Sequence, residues 1–337
     1  MYLNFNSNKM FFLFILIFKT LISISSNSWF GCWIGLKINL LKFIPLISNS
    51  SNLLSSKASL KYFLTQSIAS INFIFSILLK LFMMKNFEIN NFISIMINSS
   101  LLMKMGSAPF HFWFPNISEG LSWFNNFLLM TWQKITPMIL LSYYFNKNFI
   151  MIIMIMNAII GAIGGLNQTS LRKLMTFSSI NNLGWMLASI MISENLWMFY
   201  LIMYSFLISI MCFLFQLLNM FFINQLFISN MNYMIKMFLL INFLSLGGLP
   251  PFIGFFPKWI LINFLLTNNF FITTFIFIMM SLIMLFFYIR IIYSSFMFNY
   301  INLKWMKIYL KNKFMILINI LSFLSISGMM LSTLIFL

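Results

Sequence analysis

Long apolar runs interrupted by short polar clusters set the pattern of this chain. A bilayer crossing needs about 20 mostly apolar residues. Runs of that kind lie near 10–26, 28–47, 58–82, 89–113, 121–144, 148–169, 173–191, 196–223, 235–265, 270–294 and 314–336. Polar connections such as SNSSNLLSSK (48–57) and NQTSLRK (167–173) separate them. The pattern predicts an all-α polytopic membrane protein with about eleven transmembrane helices, in a single membrane domain over 1–337. The first run carries Lys19 and is not followed by a small-residue cleavage site, so a removable signal segment is not expected.

Composition agrees with the pattern. Hydrophobic residues make up 62% of the 337, charged residues only 7%, and the mean hydropathy is +0.98. So few charges cannot cover a water-soluble surface, which leaves lipid as the solvent. The chain has no Val and no Asp, while Phe, Ile, Met, Asn and Lys are abundant. That bias resembles translation from a very A+T-rich coding sequence, as in an animal mitochondrial genome.

Several chemistries are excluded by inventory. Two cysteines, Cys32 and Cys212, and one histidine, His111, are too few for an iron–sulfur cluster or a closed zinc site. They do not suggest a disulfide framework either. There is no glycine fingerprint that would cradle a phosphate, so no cofactor is expected in this chain. The formal charge of +17 invites a nucleic-acid reading. The basic residues are instead scattered over spans and short loops, which points to membrane topology and not to nucleic acid.

Counting positive charge on alternate sides of eleven spans sharpens the topology. The side bearing the N-terminus holds Lys9, Lys42, Lys57, Lys61, Arg172, Lys173, Lys236, Lys304, Lys307, Lys311 and Lys313. The other side holds Lys80, Lys85 and Lys147. The positive-inside rule therefore puts the N-terminus inside and, with an odd number of spans, the C-terminus outside. Six basic residues remain within spans: Lys19, Lys37, Lys104, Lys134, Lys258 and Arg290. Lys19 and Arg290 are placed to snorkel toward an interface. Lys37, Lys104, Lys134 and Lys258 lie nearer the span centres, where a charge is costly and marks an interior or aqueous path.

Two spans are punctuated alike. GSAPFHFWFP (106–115) and GLPPFIGFFP (248–257) share Gly, Pro, Phe, Phe and Pro at the same five places, 142 residues apart. Gly106 and Pro109 are expected to break the fourth span, and Gly247, Gly248, Pro250 and Pro251 the ninth. The ninth run, 235–265, would be roughly 46 Å long as one helix, well beyond the ~30 Å hydrocarbon core. Interrupted backbone is tolerated at membrane depth only where it faces protein or water. A pair of interrupted spans in two halves of a chain marks the ion path of a transporter. Spans four and nine are five apart, so equivalent helices run in opposite directions. The halves are then inverted five-helix repeats, about 10–144 and 148–294, followed by a C-terminal helix at about 314–336.

A lysine taken out of water changes its proton occupancy as nearby charges move. A row of them, joined by water and hydroxyls, can pass protons under electrostatic control. Lys104, Lys134, Lys258 and Lys37 are the candidates, and His111 is a further relay or else a hydrogen-bonded core histidine. Glu88, Glu119 and Glu194 all fall in or beside loops and are expected to be solvated or interfacial.

KMGSAPFHFWFP (104–115), LMTWQKITP (129–137), IGAIGGLNQTSLRKLMTFSSINNLGWM (160–186) and LSLGGLPPFIGFFPKW (244–259) resemble the NADH-ubiquinone oxidoreductase chain 2 family in its insect form. Its members are antiporter-like subunits in the membrane arm of mitochondrial respiratory complex I. The resemblance spans nearly the whole chain and is weakest after about position 295. It implies two inverted repeats with broken helices, and a multi-pass protein of the mitochondrial inner membrane. The N-terminus would lie in the matrix and the C-terminus in the intermembrane space. It further implies proton translocation coupled to NADH-to-ubiquinone electron transfer, with NADH, FMN, iron–sulfur clusters and ubiquinone held by partner subunits. Other membrane-arm subunits and the bilayer, including cardiolipin, are the implied partners. Lys104 matches the broken-helix lysine of the first repeat, Lys134 the connecting lysine, and Lys258 the lysine beside the second break.

The chain departs from the family twice. Lys37 stands where members usually carry a glutamate that pairs with the broken-helix lysine. Asn182 stands where a histidine is common. A purely structural subunit with weakened pumping, or a stand-alone cation/proton antiporter, are the competing expectations.

Overall fold

The computed structural model describes residues 7–49, 52–82, 87–228, 230–231, 233–297, 307–308, 315–316 and 318–327. The chain divides into two compact units, Met1–Ile153 and Met154–Leu337. The expected last span, 314–336, is described only at 315–316 and 318–327, and Lys85, Lys304, Lys311 and Lys313 lie outside the described residues.

The first unit contains α1 (Ser7–Ser25), α2 (Trp29–Ile47), α3 (Leu53–Phe82), α4 (Phe87–Met105), α5 (Trp113–Ser118), α6 (Trp123–Met130) and α7 (Trp132–Tyr143). It ends within α8 (Lys147–Gly165). Helix α1 packs on α2, α2 on α3, α3 on α4, and α4 on α7. The serine-rich α3 is compatible with lipid because its hydroxyls are spent locally. Ser59, Ser67, Ser70 and Ser76 each donate to the carbonyl three residues back at 2.7–2.8 Å. Ser28 and Ser122 cap α2 and α6, accepting from the amides of Gly31 and Asn125.

The fifth apolar run, 121–144, is expected to be one uninterrupted span. It is two helices, α6 and α7, divided at Thr131. The Thr131 hydroxyl takes the Phe127 carbonyl at 2.7 Å, and the Lys134 amide reaches only three residues back, to the Thr131 carbonyl. Pro137, inside α7, has no amide to offer the Gln133 carbonyl.

The second unit takes up the rest of α8 and continues with α9 (Leu171–Ile192), α10 (Glu194–Leu218), α11 (Ile223–Ile228), α12 (Tyr233–Gly247), α13 (Phe255–Thr267) and α14 (Phe271–Met297). A further short helix, α15, spans Ile318–Ser327. Two residues, Asn230–Met231, pair in parallel with Lys307–Ile308. Helix α9 is buried on nearly every side from Leu171 to Ser189, which makes it the core of this unit. Helix α14 is the opposite case: Phe275, Leu282 and Phe286 are exposed along an apolar face suited to lipid. Glu194 opens the first turn of α10, where a carboxylate suits the helix dipole, and it is exposed as expected. Arg290 donates to the Leu166 carbonyl just past α8, so it caps that helix end and is an exposed charge, not a buried one.

Six described helices, α1, α2, α3, α8, α10 and α14, are each long and apolar enough to cross a membrane unaided. The chain is thus an all-helical, multi-pass membrane protein.

Candidate functional site

The two repeated decapeptides fold alike. Helix α4 ends at Met105 and α12 at Gly247, and the next residues, Gly106 and Gly248, sit at φ +72° and +81°. Only glycine takes this left-handed conformation without strain. The Ser107 amide bonds the Leu102 carbonyl, and the Leu249 amide bonds that of Leu244. The Gly106 and Gly248 amides bond the carbonyls of Met103 and Ser245. These are Schellman caps on residues that correspond one for one at the offset of 142. The correspondence continues beyond the break, where the Phe114 amide bonds the His111 carbonyl and the Phe256 amide that of Ile253.

The carbonyls freed at each break find different partners. At the first, the Gln66 amide donates to the freed Lys104 carbonyl at 2.9 Å, and the Trp113 indole adds a 3.2 Å bond to the Met103 carbonyl that the Gly106 amide already reaches. At the second, the Lys258 ammonium itself donates to the Gly247 carbonyl at 3.1 Å. Lys258, on α13, is therefore a charged cap on the C-terminus of α12, where the helix dipole favours a cation. It is 6% exposed.

Lys104 and Lys134 are 7% and 1% exposed. Both line one cavity in the first unit, together with Asn39 and Leu40 from α2, Tyr62 and Gln66 from α3, and Gln133 and Thr136 from α7. Its volume of about 20 Å³ admits a water molecule. The Lys104 ammonium lies 5.2 Å from the centre of the Phe73 ring and has no hydrogen-bond partner among the described residues. The Lys134 ammonium lies 5.6 Å from the Phe114 ring, which the first break positions. Aromatic faces give such cations partial compensation without fixing a proton. Across the cavity Asn39 and Gln133 exchange amide hydrogen bonds of 3.1 and 3.3 Å, tying α2 to α7.

Two expected site residues lie off the cavity wall. His111 falls in the turn after α4 has ended, so the seven-residue spacing from Lys104 does not place them on one helical face. Its Nδ1 is 3.2 Å from the Pro109 carbonyl and its ring is tilted against Phe112. Lys37 is half-buried on α2, with its ammonium 5.8 Å from the Trp33 ring. Pro109, Pro250 and Pro251 stand inside the two turns.

In the second unit, Asn182 on α9 accepts a 2.9 Å bond from the Tyr200 hydroxyl. Tyr204 lies against Ser179 and Tyr288 against Ser178, so hydroxyls from α10 and α14 converge on the buried α9. Apart from Asn182, this cluster and the neutral lining of the first cavity are the polar residues that sequence reasoning did not single out. The visible signal was polar residues at helical spacing, Tyr62 with Gln66 on α3.

The sequence model described as NADH:quinone oxidoreductase/Mrp antiporter, TM, matches residues 26–284. NADH-ubiquinone oxidoreductase chain 2 of Anopheles gambiae is 52% identical over 331 residues, covering 96% of this chain and 97% of the relative. Its counterpart in Locusta migratoria is 42% identical over 327 residues, covering 96% of each. Among solved structures, respiratory complex I from Thermus thermophilus superposes with a TM-score of 0.83 at 16% identity, covering 97% of this chain and 79% of that one. The Mrp complex from a Dietzia species superposes with a TM-score of 0.72 at 14% identity, covering 83% and 59%. At such identities the structural likenesses speak to fold alone.

Proposed function

The chain belongs to the NADH-ubiquinone oxidoreductase chain 2 family, and from that premise we propose how its buried lysines serve the enzyme. It is a membrane subunit of an H+-translocating NADH:ubiquinone reductase and takes part in proton translocation. Redox chemistry belongs to partner subunits, which would hold NADH, FMN, the iron–sulfur clusters and ubiquinone. This chain binds its neighbours in the membrane arm and the surrounding bilayer, cardiolipin included.

In this reading the chain crosses the mitochondrial inner membrane eleven times, from a matrix N-terminus to a C-terminus in the intermembrane space. The skew of basic residues toward one side supports that orientation. Two repeats of opposite direction, about 10–144 and 148–294, each contain one broken helix, and the matching glycine caps support their equivalence.

One observation carries the mechanism: Lys104 and Lys134 line the same water-sized cavity directly beside the first break. Lys104 exchanges a proton with water in that cavity and Lys134 receives it. Lys37 modulates Lys104 through its charge, His111 is a further relay in the turn after α4, and Lys258 works at the second break. The bond from Lys258 to Gly247 also favours a second, structural role for that lysine.

The test of membership is a native gel of mildly solubilised mitochondrial membranes, stained for NADH oxidation and read by mass spectrometry. The chain is expected in a large NADH-oxidising band. Its recovery only as a small separate species would favour the stand-alone antiporter.

A further inference from the structure

Lys37 is the buried-span lysine whose surroundings this chain leaves unfinished. It is the ninth of the 19 residues of α2, about 12 Å from one helix end and 15 Å from the other. On a helical wheel it borders the exposed arc of α2 that holds Phe30, Ile34 and Leu41, which are 58%, 41% and 54% exposed. The inner face is a different set, with Leu36, Asn39 and Leu40 against the cavity. Its described contact is the ring of Trp33, held in place because the indole donates to the Ser70 carbonyl at 3.0 Å.

Among the described residues, no side-chain carboxylate is placed beside Lys37. Glu119 follows α5, and the adjoining Gly120 abuts the Leu54 carbonyl in the first turn of α3. Glu88 belongs to the first turn of α4. Both therefore sit at helix ends, while Lys37 is at mid-helix, and Glu194 is an exposed N-terminal residue of α10. A lysine at the centre of a membrane helix costs a few kcal/mol unless a partner or water compensates it. At this depth a lipid headgroup is out of reach. Lys37 also repels Lys104 through space, which adds to the unbalanced positive charge.

We propose that the Phe30–Ile34–Lys37–Leu41 face of α2 is an interface with a transmembrane helix of another subunit, and that this helix presents an Asp or Glu carboxylate to Lys37. The inference rests on the chain being a subunit of the respiratory enzyme. The apolar residues supply packing and the ion pair supplies register. The same carboxylate acts on Lys104, so displacement of the partner helix changes the charge balance at the cavity. The lever on the first lysine site is then supplied from outside the chain.

The experiment uses the intact complex. Dicyclohexylcarbodiimide, an apolar reagent, activates carboxylates at membrane depth, and a lysine in contact captures them as an amide that mass spectrometry reads. The expected product joins the Lys37 peptide to a transmembrane Asp or Glu peptide of a different subunit. A density map of the same complex is expected to show a carboxylate within about 4 Å of the Lys37 ammonium. Lipid acyl chains against Phe30, Ile34 and Leu41, or a Lys37 amide to an acid of its own chain, would overturn the proposal. Neither result bears on membership, which fails only if the chain does not co-migrate with the NADH-oxidising band.

Discussion

The Lys258 ammonium donates a 3.1 Å hydrogen bond to the Gly247 carbonyl, the group that the second helix break sets free. The Lys104 ammonium, beside the matching break, has no such bond among the described residues. Two lysines at equivalent interruptions thus stand in different physical states, one locked to backbone and one facing a cavity.

Opposite stability effects follow from that difference. Lys258→Met leaves the Gly247 carbonyl buried without its donor, a loss of about 1–3 kcal/mol. The enzyme should then inactivate on heating at a lower temperature. Lys104→Met removes an unpaired buried charge in favour of a similar apolar volume, which is neutral or stabilising by about 1 kcal/mol. Its heat inactivation should stay the same or move upward. Thermal-inactivation curves of NADH oxidation in membranes separate the two.

Glycine caps should be intolerant of a methyl group. Gly106→Ala and Gly248→Ala each force an L-residue into the left-handed region at about 1–2 kcal/mol. The first is worse, because a Cβ at Gly106 would come within 3.0 Å of the Phe114 Cβ, whereas the atom met at that distance at Gly248 is the movable Lys258 ammonium. The amount of assembled enzyme on native gels is expected to fall in the order wild type, Gly248→Ala, Gly106→Ala. The reverse order for the two variants would argue against the cap as drawn.

The Asn39–Gln133 pair couples α2 to α7 across the cavity. Asn39→Leu strands one amide at membrane depth, and the double change with Gln133→Leu removes both. A double-mutant cycle should return a coupling of about 0.5–2 kcal/mol, the range for interhelical hydrogen bonds in membranes. A coupling of zero would mean the two amides are independently solvated.

The breaks were legible in sequence because Gly and Pro carry their conformational information locally, and both turned where GSAP and GLPP stand. Lys104, Lys134 and Lys258 were legible because charge is rare in lipid. The division at Thr131 was not, since a threonine hydroxyl bonding back to Phe127 leaves no mark in an apolar run. Asn39, Gln66 and Gln133 were equally silent. In a chain so rich in Asn, a neutral polar residue gains meaning only when a second helix brings its partner. The spacing from Lys104 to His111 was uninformative for a related reason, because residue spacing defines a face only while the helix continues, and α4 stops at Met105.

The most direct measurement is the number of protons moved per NADH oxidised in assembled enzyme carrying Lys104→Met or Lys134→Met. If the two lysines share one proton-handling cavity, either change lowers the ratio, and the double change lowers it no further than the more severe single one. An unchanged ratio in fully assembled enzyme would contradict the account, and Lys104 and Lys134 would then be structural.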